Sequence, residues 1–199
     1  MDPLSPDAYR VIAIDPGSNR TGFSALSYFP GGEIVCYTAF SCHADKALKQ
    51  YGDLCDVHGD RYVRNLIIAQ ALRDLIEEFP PNWVISESPF SRHVQTYAAL
   101  TEAITLFHNA ILEYDPYVPF DLIDPVSVKK SIGVRLGGGA SKERKDKDLV
   151  QQLVSERRDV IGLPHHQMDE HSYDATAIAL YHIDHRFKRG RHELARTID

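Results

Sequence analysis

The chain has 199 residues and carries 22 lysines and arginines against 28 aspartates and glutamates, a formal net charge of −6. This length fits one domain around a single core, and the acidic balance argues against a protein that coats DNA non-specifically. No apolar run approaches the roughly 18 residues of a membrane-spanning helix. We therefore expect one globular domain over residues 1–199, in which residues 1–8 form a loose leader.

The cysteines and the N-terminus bear on the cellular compartment. Cys36, Cys42 and Cys55 lack the spacing of a metal site, and an odd, low count is typical of free thiols in a reducing compartment. The first residues contain no basic region followed by an apolar stretch, so we expect no secretory signal. These features indicate the cytoplasm, which is the host's for a phage-encoded protein, or an organellar matrix.

The first part of the chain predicts an antiparallel meander of three strands. Its β-branched and aromatic runs cover residues 9–14, 21–28 and 33–40. Turn signals at Asp15-Pro16-Gly17 and Pro30-Gly31-Gly32 separate the runs. Residues 41–58 follow neither a strand nor a helix period, so we expect an insertion loop there.

Helices and strands alternate from residue 60 onward. Apolar residues at helical spacing predict a helix over 60–79, which Pro80-Pro81 ends. The further predicted elements are a strand over 83–87, a helix over 93–114, a strand over 118–123, a flexible loop over 133–141, and helices over 142–158 and 168–187. A meander followed by this alternation predicts an α/β fold, with a mixed five-stranded sheet and helices on both faces.

Two predicted strands end in a carboxylate. Asp15 ends the first strand, next to a turn that Gly17 and Gly22 allow to be tight. Glu87 ends the apolar strand over 83–87, where a carboxylate is costly to bury unless it is paired or bound to a metal. Taken singly, each residue has a structural explanation as good as a functional one. Asp15 can cap an ordinary turn, and Glu87 can be a hydrated residue at the rim of the sheet.

The start of the last predicted helix holds another group of candidates. His171 and Asp174 are three positions apart and Glu170 and Asp174 four apart, so each pair shares a helix face. Acids at a helix N-terminus are favoured by the helix dipole, which accounts for Asp169 and Glu170. Asp174 lies further into the helix, and either His171 or Glu170 can join it in a site.

The combination is more specific than its parts, because Asp15, Glu87 and Asp174 are too far apart in sequence to share a local structural purpose. Magnesium is bound by a few such oxygen ligands together with water and phosphate oxygens. Two ions roughly 4 Å apart can activate water and stabilise the leaving oxygen of a phosphodiester. The pattern predicts phosphodiester cleavage with Mg²⁺, with two ions in each active site.

Basic residues are clustered despite the acidic total. One cluster consists of Lys129, Lys130, Arg135, Lys142, Arg144, Lys145 and Lys147, and the other of Arg186, Lys188, Arg189 and Arg191. The first cluster flanks a glycine-rich segment, as a phosphate-binding surface would, although a solvated helix face has the same composition.

The motifs resemble those of the RuvC family of Holliday junction resolvases, from about residue 9 to residue 185. The resemblance is carried by Ile14-Asp15-Pro16-Gly17 with Thr21-Gly22, by Ile85-Ser86-Glu87-Ser88-Pro89-Phe90, and by His171-x-x-Asp174-Ala175. It implies an RNase H-like fold, a homodimer, and paired nicks across four-way DNA with Mg²⁺ or Mn²⁺. Residues 41–58 look longer than the corresponding stretch of the family, and the leader is extra.

The resemblance also implies residue roles. The implied metal ligands are Asp15, Glu87, His171 and Asp174. Lys147 matches a basic position that serves catalysis or DNA binding, and the predicted DNA-binding residues are Phe90, Lys129, Lys142, Arg144, Lys145 and Lys147. An aromatic side chain at position 90 can stack on an unpaired base, or it can be a core residue.

Three other functions have features in common with this pattern. Actin-like ATPases and sugar kinases also begin with a strand, an aspartate-glycine turn and a meander, but they need a second phosphate motif, which this sequence lacks. An RNase H-like nuclease for flaps, other branched DNA or RNA–DNA hybrids would share the metal site. A non-catalytic RNase H-like module would bind nucleic acid without needing all four candidate ligands.

Overall fold

The computed structural model describes residues 1–133 and 140–188, without the side chains of residues 140–147 and 188. Within this part of the chain, six strands form one mixed sheet. They are β1 (Tyr9–Asp15), β2 (Arg20–Tyr28), β3 (Ile34–His43), β4 (Trp83–Glu87), β5 (Phe120–Ile123) and β6 (Val160–Ile161). The order across the sheet is β5-β4-β1-β2-β3-β6.

Seven α-helices accompany the sheet in the described residues. They are α1 (Ala44–Ala47), α2 (Gly52–His58), α3 (Asp60–Glu78), α4 (Val94–Tyr114), α5 (Pro125–Ser131), α6 (Ala140–Ser155) and α7 (Glu170–Ile183). A 3-10 turn over Leu48–Tyr51 joins α1 to α2, and a π-helical turn over Asp184–Lys188 follows α7. No described helix is both long enough and apolar enough to cross a membrane.

Strand directions bring several strand ends to one edge of the sheet. β1 pairs with β4 in parallel, and β4 pairs with β5 in parallel, so these three strands end at the same edge, which we call the carboxyl edge. β2 is antiparallel to both β1 and β3. The carboxyl edge therefore also holds the start of β2 and the end of β3.

The sheet lies between two layers of helices because side chains alternate along its strands. On β1, Val11 and Ala13 face the core formed with α5, α6 and α7, whereas Ile12 and Ile14 face the core formed with α3 and α4. Helix α7 is the most deeply buried helix. Ten of its side chains are buried, and many are small, so its backbone can approach the sheet closely.

The predicted mixed sheet with helices on both faces is confirmed, with one strand more than expected. The two-residue strand β6 pairs with the start of β3, and its length was too short to predict. The predicted insertion loop over 41–58 is wrong: β3 continues to His43, and α1, the 3-10 turn and α2 follow. From Leu48 to His58 no residue is buried, so no apolar period revealed these helices.

Two smaller expectations concern the leader and the glycine-rich segment. The leader is less loose than predicted, because the Ser27 hydroxyl donates a 2.6 Å hydrogen bond to the Pro3 carbonyl and Ala8 is buried. The predicted loop over 133–141 falls largely on residues 134–139, which lie outside the described residues. Helix α5, which precedes it, was not predicted.

Candidate metal and nucleic-acid site

Asp15 and Glu87 lie side by side at the carboxyl edge. The parallel register pairs Ile14 of β1 with Ser86 of β4, and each candidate carboxylate is the next residue of its strand. Asp15 is buried and Glu87 is half-buried. The structure therefore brings the two strand-end carboxylates together at one edge, and their role as metal ligands stays a prediction.

The start of α7 is fixed to the sheet by its capping residue. The Asp169 carboxylate accepts a 3.1 Å hydrogen bond from the Ser172 backbone N–H, and the Ser172 hydroxyl donates back to the Asp169 carbonyl at 2.9 Å. The Ser41 hydroxyl of β3 also donates to the Asp169 carboxylate. Asp169 thus has the structural role of an N-cap.

A glycine allows α7 to come close to β2. A Cβ atom on Gly22 would lie 2.0 Å from the carbonyl oxygen of His171, so no other residue fits there without moving the helix. One turn further on, the Thr176 hydroxyl donates a 3.0 Å hydrogen bond to Ser24 of β2. The glycine of the Thr-Gly motif is thus required by the position of the candidate histidine.

This packing brings His171 to Asp15. The His171 Nδ1 donates a hydrogen bond to Asp15 Oδ2 at 2.8 Å, and this bond is the main cause of a raised pKa of the imidazole. On the other side of the ring, Glu170 Oε1 lies 3.6 Å from Nε2. His171 and Glu170 were the two residues that could join Asp174 in a site. Of these, His171 contacts Asp15 directly, whereas Glu170 contacts the far side of the imidazole ring.

The electrostatics of Glu87 indicate an accumulation of negative charge. Burial, and then the charges of Asp15 and Asp174, raise the pKa of its carboxyl group to about 8, while Lys129 acts in the opposite direction. A carboxyl group that burial and neighbouring like charges hold protonated is typical of a site built for a cation or an acid–base role. Asp15, Glu87 and Asp174 therefore form one electrostatic unit.

These donors fit a divalent cation in their chemistry. They are mainly hard oxygen atoms, and Lys129 offsets only part of their charge. As the side chains stand, with His171 bonded to Asp15, no group of three or more histidine, cysteine, aspartate or glutamate side chains in the described residues is arranged to hold a metal ion.

The predicted DNA-binding residues are only partly described. Lys129, on α5, is half-buried and acts on Glu87. Phe90 is 74% exposed in the segment after β4, so the alternative of a core phenylalanine is wrong. The side chains of Lys142, Arg144, Lys145 and Lys147 lie outside the described residues, and their predicted roles stay predictions.

Sequence reasoning missed one acid close to the site. Asp124 directly follows β5, and its charge also raises the pKa of Glu87. Its carboxylate accepts hydrogen bonds from the backbone N–H and the hydroxyl of Ser127, both at 3.1 Å, which caps α5. A strand followed by Asp-Pro was the available signal, since a proline at the first helical position is typical of a helix start.

Comparison of the sequence with known proteins identifies relatives along nearly the whole chain. It is 26% identical over 190 residues to the crossover junction endodeoxyribonuclease RuvC of Bartonella henselae, covering 94% of this chain and 96% of the relative. The RuvC of Bartonella quintana is also 26% identical, over 184 residues, with 90% and 92% coverage. No family model matches the chain.

Solved structures with the same fold include further resolvases. T. thermophilus RuvC in complex with a Holliday junction substrate superposes with a TM-score of 0.61 at 20% identity, covering 87% of this chain and 92% of the other. Fowlpox virus resolvase with Holliday junction DNA gives 0.55 at 13% identity, with 89% and 99% coverage. The yeast mitochondrial Holliday junction resolvase gives 0.57 at 14% identity, with 90% and 79% coverage. The chain has the RNase H-like fold of RuvC-type resolvases, and the predicted resemblance to them is confirmed.

Proposed function

We propose that this chain is a metal-dependent endonuclease that resolves four-way DNA junctions by paired phosphodiester nicks. The observation that carries the proposal is the meeting of Asp15, Glu87, His171 and Asp174 at the carboxyl edge, with the pKa of Glu87 raised to about 8 by burial and by its acidic neighbours. The relatives named for crossover junction cleavage support the choice of substrate.

Each residue has a distinct part in the proposed chemistry. Asp15, Glu87, Asp174 and His171 would hold one or two Mg²⁺ or Mn²⁺ ions, which supply an activated water and charge neutralisation at the phosphate. The Asp169 cap and Gly22 hold α7 against the sheet, so that the helical ligands stay next to the strand ligands. Lys129 provides positive charge beside the carboxylates, where an anionic DNA strand must approach. Lys147 is predicted to serve catalysis or DNA binding.

Paired nicks require two active sites, and α4 offers a surface for a homodimer. Tyr97, Thr101, Thr105 and Leu112 form an exposed stripe without charges along this helix. The hydroxyls of both threonines donate to the carbonyls four residues earlier, each at 2.9 Å, so their hydrogen bonds are made within the helix. Such a stripe fits the face of a second copy.

Sedimentation of the wild type and of a Thr101→Arg variant tests this dimer. We expect a dimer for the wild type and a monomer that nicks junctions without pairing for the variant. An equally dimeric variant would place the interface elsewhere.

The three free cysteines agree with a reducing setting such as the cytoplasm.

Cleavage of matched substrates tests the function itself. Four-way, flap, linear duplex and RNA–DNA substrates of the same sequence are incubated with Mg²⁺, Mn²⁺ or a chelator. We expect metal-dependent, symmetric nicks in the four-way junction and little cutting of the others. Preference for the hybrid or the flap would identify another RNase H-like nuclease, and binding without any cleavage would identify a non-catalytic module.

A further inference from the structure

A groove of about 510 Å³ opens next to the candidate metal site and is not used by the function proposed above. His171 borders both the groove and the site. The other lining residues that matter here are Gly17, Arg20, Asp45, Thr96 and Leu100. The groove therefore runs from the site between the β1–β2 turn and α4.

The wall formed by the β1–β2 turn is fixed in shape. A Cβ atom on Gly17 would lie 2.0 Å from the Arg20 carbonyl oxygen, so the turn is as tight as a glycine permits. The Thr21 hydroxyl donates to the Gly17 carbonyl at 3.2 Å, and the Asp45 backbone N–H donates to the Asn19 carbonyl at 3.4 Å. A ligand would meet a preformed surface here.

Arg20 is the cation of this wall. It starts β2 at the carboxyl edge, opposite His43 of β3. Arg20 is exposed, and among the side chains that the structure describes no carboxylate forms a salt bridge with its guanidinium. An unpaired guanidinium in a groove is well suited to bind a phosphate through two parallel hydrogen bonds.

The distance from the site fits a nucleic-acid strand. Gly17 is two residues after Asp15, so at most about 7 Å of chain separates them, which equals the rise of about two base steps along the axis of B-form DNA. A strand whose phosphate is cut beside Asp15 must continue in some direction, and this groove leads away from that position. Thr96 and Leu100 offer a hydroxyl and an apolar surface to a sugar.

We propose that this groove binds the sugar-phosphate backbone of the DNA strand that enters the active site, with the Arg20 guanidinium as its phosphate contact. The inference rests on the proposed function. The Asp45 carboxylate in the same groove repels phosphates, so it limits the affinity that Arg20 provides. The two residues therefore have opposite effects on DNA binding.

Binding of a synthetic four-way junction is measured at several salt concentrations in the Asp15→Asn background, with Arg20→Gln, Arg158→Gln and Asp45→Asn as the test variants. Arg158 is a matched control: it is exposed and precedes β6, whose pairing with the start of β3 places it at the sheet edge away from the site. For Arg20→Gln we expect about tenfold weaker binding and a slope of log K against log salt that is shallower by about one unit. Arg158→Gln should leave both unchanged, and Asp45→Asn should tighten binding.

Junctions with a single neutral methylphosphonate locate the contact. At one position near the cleaved bond, neutralisation should weaken binding by the protein with Arg20 and have no effect on Arg20→Gln. If the wild type cuts junctions but Arg20→Gln and Arg158→Gln behave alike, or if Asp45→Asn weakens binding, the groove is overturned while the proposed function stands. A wild type that neither binds nor cuts branched DNA overturns the proposed function and the groove together.

Discussion

The two ends of the sheet both hold a titratable group with a strongly shifted pKa, and burial is the largest cause at both, but the surroundings of the two groups differ. At the carboxyl edge, burial and then the charges of Asp15 and Asp174 raise the pKa of Glu87 to about 8. At the opposite end, burial and then the charge of Arg186 lower the pKa of His182 to about 4. Both groups are held in their uncharged forms, Glu87 among acidic residues and His182 among aromatic rings.

His182 is buried among aromatic rings. Its ring stacks on Tyr9, with 6.1 Å between centroids, and lies 5.4 Å from the ring of Trp83. Its Nε2 is 3.1 Å from the Tyr9 hydroxyl, and the Arg186 guanidinium covers Trp83 at 3.5 Å from the ring centroid. A shifted pKa alone therefore does not mark a functional site. A functional site is indicated where like charges converge and a ligand has room to bind. A shifted group that is fully packed among other side chains indicates a role in stability instead.

The largest expected effect is on DNA cleavage, and it should arise from a substitution at the carboxyl edge. Glu87→Gln keeps the shape of the side chain but removes a carboxyl group that can give up its proton to bind a cation, so we expect cleavage of a four-way junction to fall about 10³-fold, equivalent to about 4 kcal/mol, while junction binding persists. The matched control is Glu77→Gln, on the exposed end of α3 before β4 starts. Cleavage by Glu87→Gln within a few-fold of the wild type would remove Glu87 from the active site.

The second prediction concerns stability at the other end. His182 titrates near 4 in the folded chain and near 6.5 when unfolded. Between these two pH values only the unfolded state binds a proton at this histidine. The contribution of His182 to the free energy of unfolding is therefore fully present above pH 6.5, and it is lost as the pH falls towards 4, by up to about 3 kcal/mol.

Urea unfolding between pH 7 and pH 4 measures this loss. The fall in unfolding free energy should be smaller by about that amount in His182→Gln, and unchanged in the exposed control His58→Gln. Parallel curves for the wild type and His182→Gln would contradict the assignment.

The sequence predicted the elements whose burial is periodic. The helix over 60–79 was found as α3 (Asp60–Glu78), because one face of it is apolar and a proline pair ends it. The strand over 83–87 was found with the same bounds as β4. Helix α2 was missed because it buries no residue, and β6 was missed because two residues carry no pattern.

The same reasoning separates the site residues that could be predicted from those that could not. Asp15 and Glu87 each end a strand, which a linear sequence shows. Arg20 and Asp124 reach the carboxyl edge only through the β1–β2 turn and the parallel pairing of β5 with β4. Their positions follow from strand order, which local patterns do not contain.

The third prediction tests His171, which contacts Asp15. His171→Ala should lower junction cleavage about 10- to 100-fold at a fixed low Mg²⁺ concentration, and part of the loss should be recovered at higher Mg²⁺, because one donor is missing. His171→Asp replaces the imidazole with an oxygen donor and should stay within about tenfold of the wild type. Steady-state cleavage over a Mg²⁺ series measures both. Normal cleavage by His171→Ala combined with loss in Glu170→Gln would assign the position to Glu170.

Phe90 should affect DNA and leave stability unchanged. Because its ring is 74% exposed, Phe90→Ala should keep the melting temperature. If the ring stacks on an unpaired base at the junction, cleavage should fall about tenfold, within the range of about 1–3 kcal/mol for such contacts. Tyr117→Ala is the control, since Tyr117 is 90% exposed and precedes β5 at the opposite end of the sheet. A lower melting temperature for Phe90→Ala, or equal cleavage losses in both variants, would argue against stacking.

The smallest effect distinguishes two adjacent lysines on α5. Lys129 is half-buried, and its charge acts on Glu87, whereas Lys130 points to solvent. If a phosphate approaches the carboxylates past Lys129, Lys129→Gln should weaken junction binding a few-fold and make the slope of log K against log salt shallower by about one unit. Lys130→Gln removes the same charge one position away and should change the slope less. Because the slope for Lys129→Gln is the shallower one, the difference in affinity between the two variants should be largest at low salt and should shrink as the salt concentration rises. Equal slopes for the two variants would mean that α5 contributes only a diffuse positive field and that the strand enters the site elsewhere.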